Sequence, residues 1–194
     1  KKYLKPNKAI PVTVGPSESM SKSKKNTIDP ENIILHYGAD AARLFILSDS
    51  PPEKDVQWSE KGIVSSSKFI QKLWNLNLKV LNEIKKNHFQ DEDEEITKST
   101  NKFIKKVTDN LENFSYNKII ANMHEIYTFL NKQLNKNYTK NTIIINYQKI
   151  LVLMLPVLPH FVSECIETLK SKENIVWPNF NKDLIQENEV TIVV

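Results

Sequence analysis

The 194-residue sequence predicts a mainly α-helical fold, a short loop-bearing segment followed by an antiparallel helical bundle. Three observations carry that expectation. Only 3 glycines accompany 9 prolines, so left-handed turns and glycine-rich phosphate loops are scarce while helix starts and stops are well supplied. Apolar residues recur three and four positions apart through most of the chain beyond Ile63. Hydrophobic residues make up 40% and charged residues 26%, an ordinary globular balance that argues against a disordered or fibrous chain.

Ile10 to Val14 reads as a short strand, and Gly15 to Asn26 as a polar loop crowded with serine and lysine. Asp29 is an N-cap with Pro30 at the first helical position, so a helix should run from Pro30 to about Tyr37 and stop at Gly38. A second helix from Asp40 to about Leu47 places Leu44 and Leu47 on one face, and Ser48-Asp49-Ser50-Pro51-Pro52 ends it. A domain boundary is expected there, dividing the chain into 1–52, 53–178 and 179–194. Ile63, Ile70, Leu73, Trp74, Leu81 and Ile84 mark a long amphipathic helix ending before His88. The acidic run Asp91 to Glu95 reads as a solvated connector, with Thr97 as the cap of the next helix. Phe103, Ile104, Val107, Leu111 and Phe114 form that helix's stripe, and Ile119, Ile120, Met123, Ile126, Tyr127, Leu130 and Leu134 the one after. Ile143 to Leu155 makes a further helix. Beyond the Pro156 to Pro159 break, Phe161, Val162, Cys165, Ile166 and Leu169 continue as a short one, and Trp177-Pro178 closes the segment. These stripes are read as core.

Charge and composition bound the function. A formal charge of +4 is compatible with a polyanionic partner and does not demonstrate one. Cys165 is the single cysteine, so no disulfide framework or Cys/His metal spacing exists; a reducing, cytoplasmic setting fits. The longest apolar run, Ile150 to Leu155, is far short of the roughly 18 residues a membrane span needs, and neither a membrane partner nor a leader is expected. His36, His88, His124 and His160 are scattered without i,i+4 pairing, so no triad or metal site is proposed. Lys1 in place of a methionine and the apolar run Glu189 to Val194 both read as cut ends.

The stretch that carries chemistry is Ser19-Met20-Ser21-Lys22-Ser23-Lys24-Lys25-Asn26, running into the helix at Pro30. Lysine ammonium groups neutralise phosphate oxygens, serine hydroxyls and loop amides donate to them, and a helix start adds partial positive charge. Composition alone favours a solvated surface or a nucleic-acid patch. The order of residues goes further. Met20-Ser21-Lys22-Ser23, then Lys24-Lys25-Asn26, Asp29-Pro30, Tyr37-Gly38-Ala39-Asp40 and Arg43, resembles the KMSKS signature of class I aminoacyl-tRNA synthetases with its downstream helices. Pro51-Pro52-Glu53-Lys54-Asp55-Val56-Gln57-Trp58-Ser59 is most similar to the leucyl branch of that family. Leu155 to His160 and Trp177-Pro178 resemble the end of its anticodon-binding domain.

The resemblance implies ATP-dependent activation of leucine, with magnesium, and transfer of leucine to tRNA(Leu) by a longer, monomeric enzyme. Residues 1–52 would be the KMSKS loop and stem-contact region, 53–178 the anticodon-binding bundle, and 179–194 the truncated start of a C-terminal domain. Met20, Ser21, Lys22 and Ser23 would bind ATP, Lys22 as the catalytic cation on the departing pyrophosphate and Met20 as a packing anchor for the closed loop. The first signature lysine is replaced by Ser19, with Lys24 and Lys25 as auxiliary phosphate contacts. No counterpart of the HIGH motif or of an editing domain is visible, so this segment alone is not expected to aminoacylate.

Asp40 and Arg43, three apart on one helix, read first as a local ion pair. Yet Arg43 is the only arginine among 27 basic residues, and a planar fork bridges several acceptors as an ammonium cannot. It is assigned a domain-junction role first and tRNA contact second. Lys68, Lys72, Lys79 and Lys118 are candidates for phosphate contacts, and Trp74 or Tyr116 for base stacking. The competing readings are another class I enzyme for an aliphatic or methionyl substrate, and a lysine-rich helical adaptor without ATP chemistry.

Overall fold

The computed structural model describes residues 2–5, 8–13, 15–49, 51, 53–86, 94–136, 138–169 and 175–185. These form two compact units, Lys1–Asn32 and Ile33–Val194. The division falls upstream of the boundary expected near residue 52, because the helix after Gly38 packs against the bundle. Val14, Pro52, His88, Asp91 to Asp93 and Val190 to Val194 lie outside the described residues, so the expectations placed on them stand as read.

The first unit holds a two-stranded antiparallel ribbon, β1 (Lys2–Lys5) and β2 (Lys8–Thr13). The expected strand at Ile10 is thus longer on its N-terminal side, and a partner strand exists that the sequence did not announce. Tyr3 pairs with Val12 and Leu4 with Pro11, and the register shifts between Leu4 and Lys5. Proline is tolerated in such a ribbon because, among the described residues, each strand pairs along one edge only.

Seven helices follow among the described residues. α1 (Pro30–Tyr37) and α2 (Ala39–Asp49) are joined by Gly38 at φ 85°, the left-handed conformation that only glycine adopts cheaply. The Asp29 carboxylate accepts from Glu31 N at 3.1 Å and from Asn32 Nδ2 at 2.8 Å, capping α1. α3 (Glu60–Lys85) starts at Ser59, whose hydroxyl accepts from Gly62 N. α4 (Glu94–Glu112), α5 (Tyr116–Gln133), α6 (Lys140–Met154) and α7 (Pro159–Leu169) complete the bundle.

One core runs through it, built from Leu73, Ile104, Ile119, Ile126, Ile150, Val162 and their neighbours on α2 to α7. A second, smaller cluster joins Ala41, Phe45 and Ile63 beneath Trp58 and Tyr37. There Gly62 lets α3 approach α2 closely: a Cβ at this position would stand 2.4 Å from Phe45 Cε2.

Three expectations on α4 are corrected. Glu94 and Glu95 belong to its first turn, where carboxylates meet the positive end of the helix dipole, and are not connector. Thr97 lies inside the helix; its hydroxyl accepts from Asn146 Nδ2 at 3.3 Å. Phe114 leaves the core stripe altogether and is 65% exposed.

Amides occupy the core in pairs that hydrophobic periodicity does not reveal. Asn77, fully buried, accepts from Tyr147 Oη at 3.1 Å. Gln133 receives Tyr138 Oη and donates to Glu95, which also holds Lys136. Residues 175–185 lie across α4, where Asn181 N donates to Asn101 Oδ1 and Trp177 Nε1 to Thr108 Oγ1. Burial raises the thiol pKa of Cys165 to about 12, the Glu164 charge adding to it, so that side chain is an inert piece of core.

Candidate functional site

The serine- and lysine-rich loop of the first unit is closed on itself by one residue, Asn26. Its Oδ1 accepts from Ser21 N at 2.8 Å while its Nδ2 donates to Ser19 O at 3.3 Å. A side-chain amide thereby pairs with the main chain on both sides of Met20, as a neighbouring strand would. Inside this clasp Lys25 N donates to Lys22 O at 3.2 Å, closing a tight turn, and Lys25 takes a left-handed φ of 52°. The Ser21 hydroxyl faces Ser23 Oγ at 3.2 Å and accepts from Lys24 N.

The turn therefore presents Lys22, Ser23 and Lys25 to solvent from a fixed backbone. Among the described residues the ammonium of Lys22 meets no acceptor. Lys24 is held by Glu18 at 2.9 Å, and both side chains are more than half exposed, so the pair is worth no more than about 1 kcal/mol and a polyphosphate could displace it. Met20 is 47% exposed, so the packing anchor expected of it is not formed within this unit. Asn26 carries no sequence signal of this role, because asparagine is too frequent in the chain to stand out.

In the second unit Asp40 and Arg43 do not pair with each other. The Asp40 carboxylate accepts from Phe161 N at 2.7 Å, from His160 Nδ1 at 2.9 Å and from His160 N at 3.5 Å. It caps α7, which begins after Leu158 and lacks a capping residue of its own. Arg43 donates through Nε to Val157 O at 3.1 Å and through Nη2 to Pro156 O at 2.7 Å. The acid takes the amides of one turn and the guanidinium takes its carbonyls.

Two clefts flank this clamp. One, of about 670 Å³, is lined by Tyr37, Ala39, Ile70, Trp74, His160 and Glu164 among others. A smaller one, of about 360 Å³, lies between Arg43, Ile46, Leu47, Tyr116 and Pro156. Trp74 and Tyr116 are half-buried against the core, the Trp74 ring at 75° to that of Phe161, and each lines one of these clefts. Lys68, Lys72 and Lys79 share one face of α3, about a third of a turn away from Trp74. Lys68, Lys72 and Lys118 are exposed, and Lys79 donates to Asn131 Oδ1 at 3.0 Å. His124 stacks on Phe69 at 3.8 Å while the residue stays exposed; partial desolvation, then the Lys72 charge, holds its pKa below the ordinary 6.5.

The chain matches the family described as the anticodon-binding domain of tRNA ligase over residues 93–194, and that of class I tRNA synthetases for isoleucine, leucine, methionine and valine over residues 12–59. It is 34% identical over 203 residues to a leucine–tRNA ligase of Brucella anthropi, covering 95% of this chain and 23% of that protein. To a leucine–tRNA ligase of Bartonella bacilliformis it is 37% identical over 196 residues, covering 94% and 22%. The chain thus spans less than a quarter of these curated relatives. Among solved structures it resembles the ternary complex of Agrobacterium radiobacter K84 agnB2 LeuRS with tRNA and LeuAMS, with a TM-score of 0.75 and 22% identity over 86% of this chain and 23% of that one. That likeness fixes the fold.

Proposed function

Because this chain belongs to the anticodon-binding-domain family of tRNA ligases, we propose that it is part of a longer leucine–tRNA ligase, to which it contributes a triphosphate-binding loop and a tRNA-binding bundle. The observation that carries the reading is the Asn26 clasp around Met20-Ser21-Lys22-Ser23, which holds the Lys22 backbone in a closed turn and leaves its ammonium without an acceptor among the described residues. The relatives named leucine–tRNA ligase, aligned over nearly the whole chain, support the choice of amino acid.

In this reading the leucine carboxylate attacks the α-phosphorus of ATP, the bond to the β-phosphate breaks, and pyrophosphate leaves with the added negative charge. Lys22 meets that charge as it forms. A cation held ready on a fixed turn needs little reorganisation, which is where such contacts lower a barrier. Lys25 and Ser23 extend the cradle, Lys24 joins it by giving up Glu18, and Ser21 is committed to the turn itself. Magnesium would share the β- and γ-phosphate charge when bound. Residues 53–178 are the surface offered to tRNA, with Lys68, Lys72 and Lys118 as the phosphate contacts.

The test is Lys22→Ala in the full-length protein. Leucine-dependent pyrophosphate exchange should fall by roughly 10²- to 10³-fold, the scale for one lost transition-state donor, while the KM for leucine stays within about threefold. Exchange at the wild-type rate would remove the basis of the assignment.

A further inference from the structure

α4 ends in a turn that ordinarily takes glycine. Phe114 N donates to Leu111 O at 3.1 Å and Ser115 N to Asn110 O at 2.8 Å, the paired bonds of a Schellman motif, with Phe114 just past the cap at φ 52°. In that conformation a Cβ crowds the following carbonyl, and bulky residues avoid it. After α1 the equivalent place is filled by Gly38. A strained aromatic is usually compensated by burial, yet this ring stays largely in solvent and takes part in no aromatic pair among the described residues.

The surroundings narrow what such a ring meets. Among the described residues Phe114 is the only exposed Phe, Tyr or Trp; the exposed aliphatic residues Ile46, which shares a cleft with Tyr116, and Ile175 and Val176, just before Trp177, lie on other segments of this unit. Protein interfaces gather several apolar groups around an anchor; an unpaired base requires one π face and a cation within reach of its phosphate. Lys118, exposed on the first turn of α5, is that cation.

We infer that Phe114 is a stacking platform for an unpaired base of the bound tRNA, with Lys118 on an adjacent phosphate. The inference rests on the ligase reading above and adds a recognition residue to it. In the full-length protein, Phe114→Gly should raise the thermal unfolding midpoint, since strain is relieved. It should also weaken binding of a tRNA(Leu) transcript by about 5- to 150-fold and leave pyrophosphate exchange measured without tRNA unchanged. Phe114→Trp should bind as wild type does. A residue needed only for folding would move stability and binding in the same direction. Wild-type affinity in Phe114→Gly overturns the inference, whether a protein or nothing then meets the ring. So does a lowered midpoint in that variant, or a loss in Phe114→Trp equal to that in Phe114→Gly. If the wild-type protein neither binds tRNA nor exchanges pyrophosphate, the ligase reading itself fails and carries this inference with it.

Discussion

Replacing Asp40 with alanine should cost more than its place on a helix surface suggests, because its partners lie 120 residues away. Asp40 is only 7% exposed, and its carboxylate satisfies Phe161 N and His160 Nδ1 at 2.7 and 2.9 Å. A hydrogen bond to a charged group contributes about 1.5–3 kcal/mol and a lost N-cap costs about 0.5–2 kcal/mol. These overlap, since the same amide is counted in both, so Asp40→Ala is expected to cost about 2–4 kcal/mol. Asp40→Asn keeps one acceptor oxygen and should cost about half as much. Arg43→Ala gives up two bonds to neutral carbonyls, about 1–3 kcal/mol together, and Arg43→Lys should recover at most one of them. Urea unfolding of the four variants and of the Asp40→Ala/Arg43→Ala double at neutral pH reads these out. If the two residues stabilised each other as an ion pair, the double variant would cost no more than the worse single. Binding separate groups of the α6–α7 turn, they should give a double variant at least about 1 kcal/mol below either single. A double no worse than Asp40→Ala, or an Asp40→Ala cost under about 0.5 kcal/mol, refutes the clamp.

Two further outcomes come from the packing. Gly62→Ala would gain up to about 1 kcal/mol of helix propensity on an open helix, but its methyl meets the buried Phe45 ring, itself set edge-on to Trp58 at 5.2 Å; thermal melting should show a net loss of about 1–2 kcal/mol, rescued by adding Phe45→Leu, and a stabilised variant would contradict the close approach. His124, its pKa lowered by partial desolvation and by Lys72, stays neutral in the fold after the unfolded chain has begun to protonate at 6.5; its contribution is complete above that pH and declines as pH falls through 6.5 toward the lower folded value. Stability from urea titrations should therefore slope downward between about pH 7.5 and 5.5 and lose that slope in His124→Gln.

Much of this fold is legible in the sequence because its helices use strong local signals. The Asp29-Pro30 start and Gly38 stop locate α1, and apolar spacing locates α3, α5, α6 and α7 within a few positions. What escapes is whatever two distant segments decide together. Asp40 and Arg43 look like a local pair because i,i+3 spacing is all a sequence shows; only the fold places the α6–α7 turn against them. Asn77, Gln133 and Asn146 carry no sign of burial, since an amide buried with a partner and an amide in solvent are spelled alike. In the loop, the lysines and serines are conspicuous, and Asn26, which determines their arrangement, is not.

Two residues break this chain's own compositional habits, one on α2 reaching the α6–α7 turn and one in the turn between α4 and α5. Lysine supplies nearly every positive charge, yet Arg43 stands where two carbonyls of one turn must be reached by a single rigid fork, a geometry an ammonium cannot match. Glycine fills the left-handed place after α1, yet phenylalanine fills it after α4 and gains no burial in exchange. The first departure is explained by contacts inside the fold. The second finds no burial in the fold, and that is why the exposed ring, ahead of the half-buried Trp74 or Tyr116, is the residue to test for a stacked base.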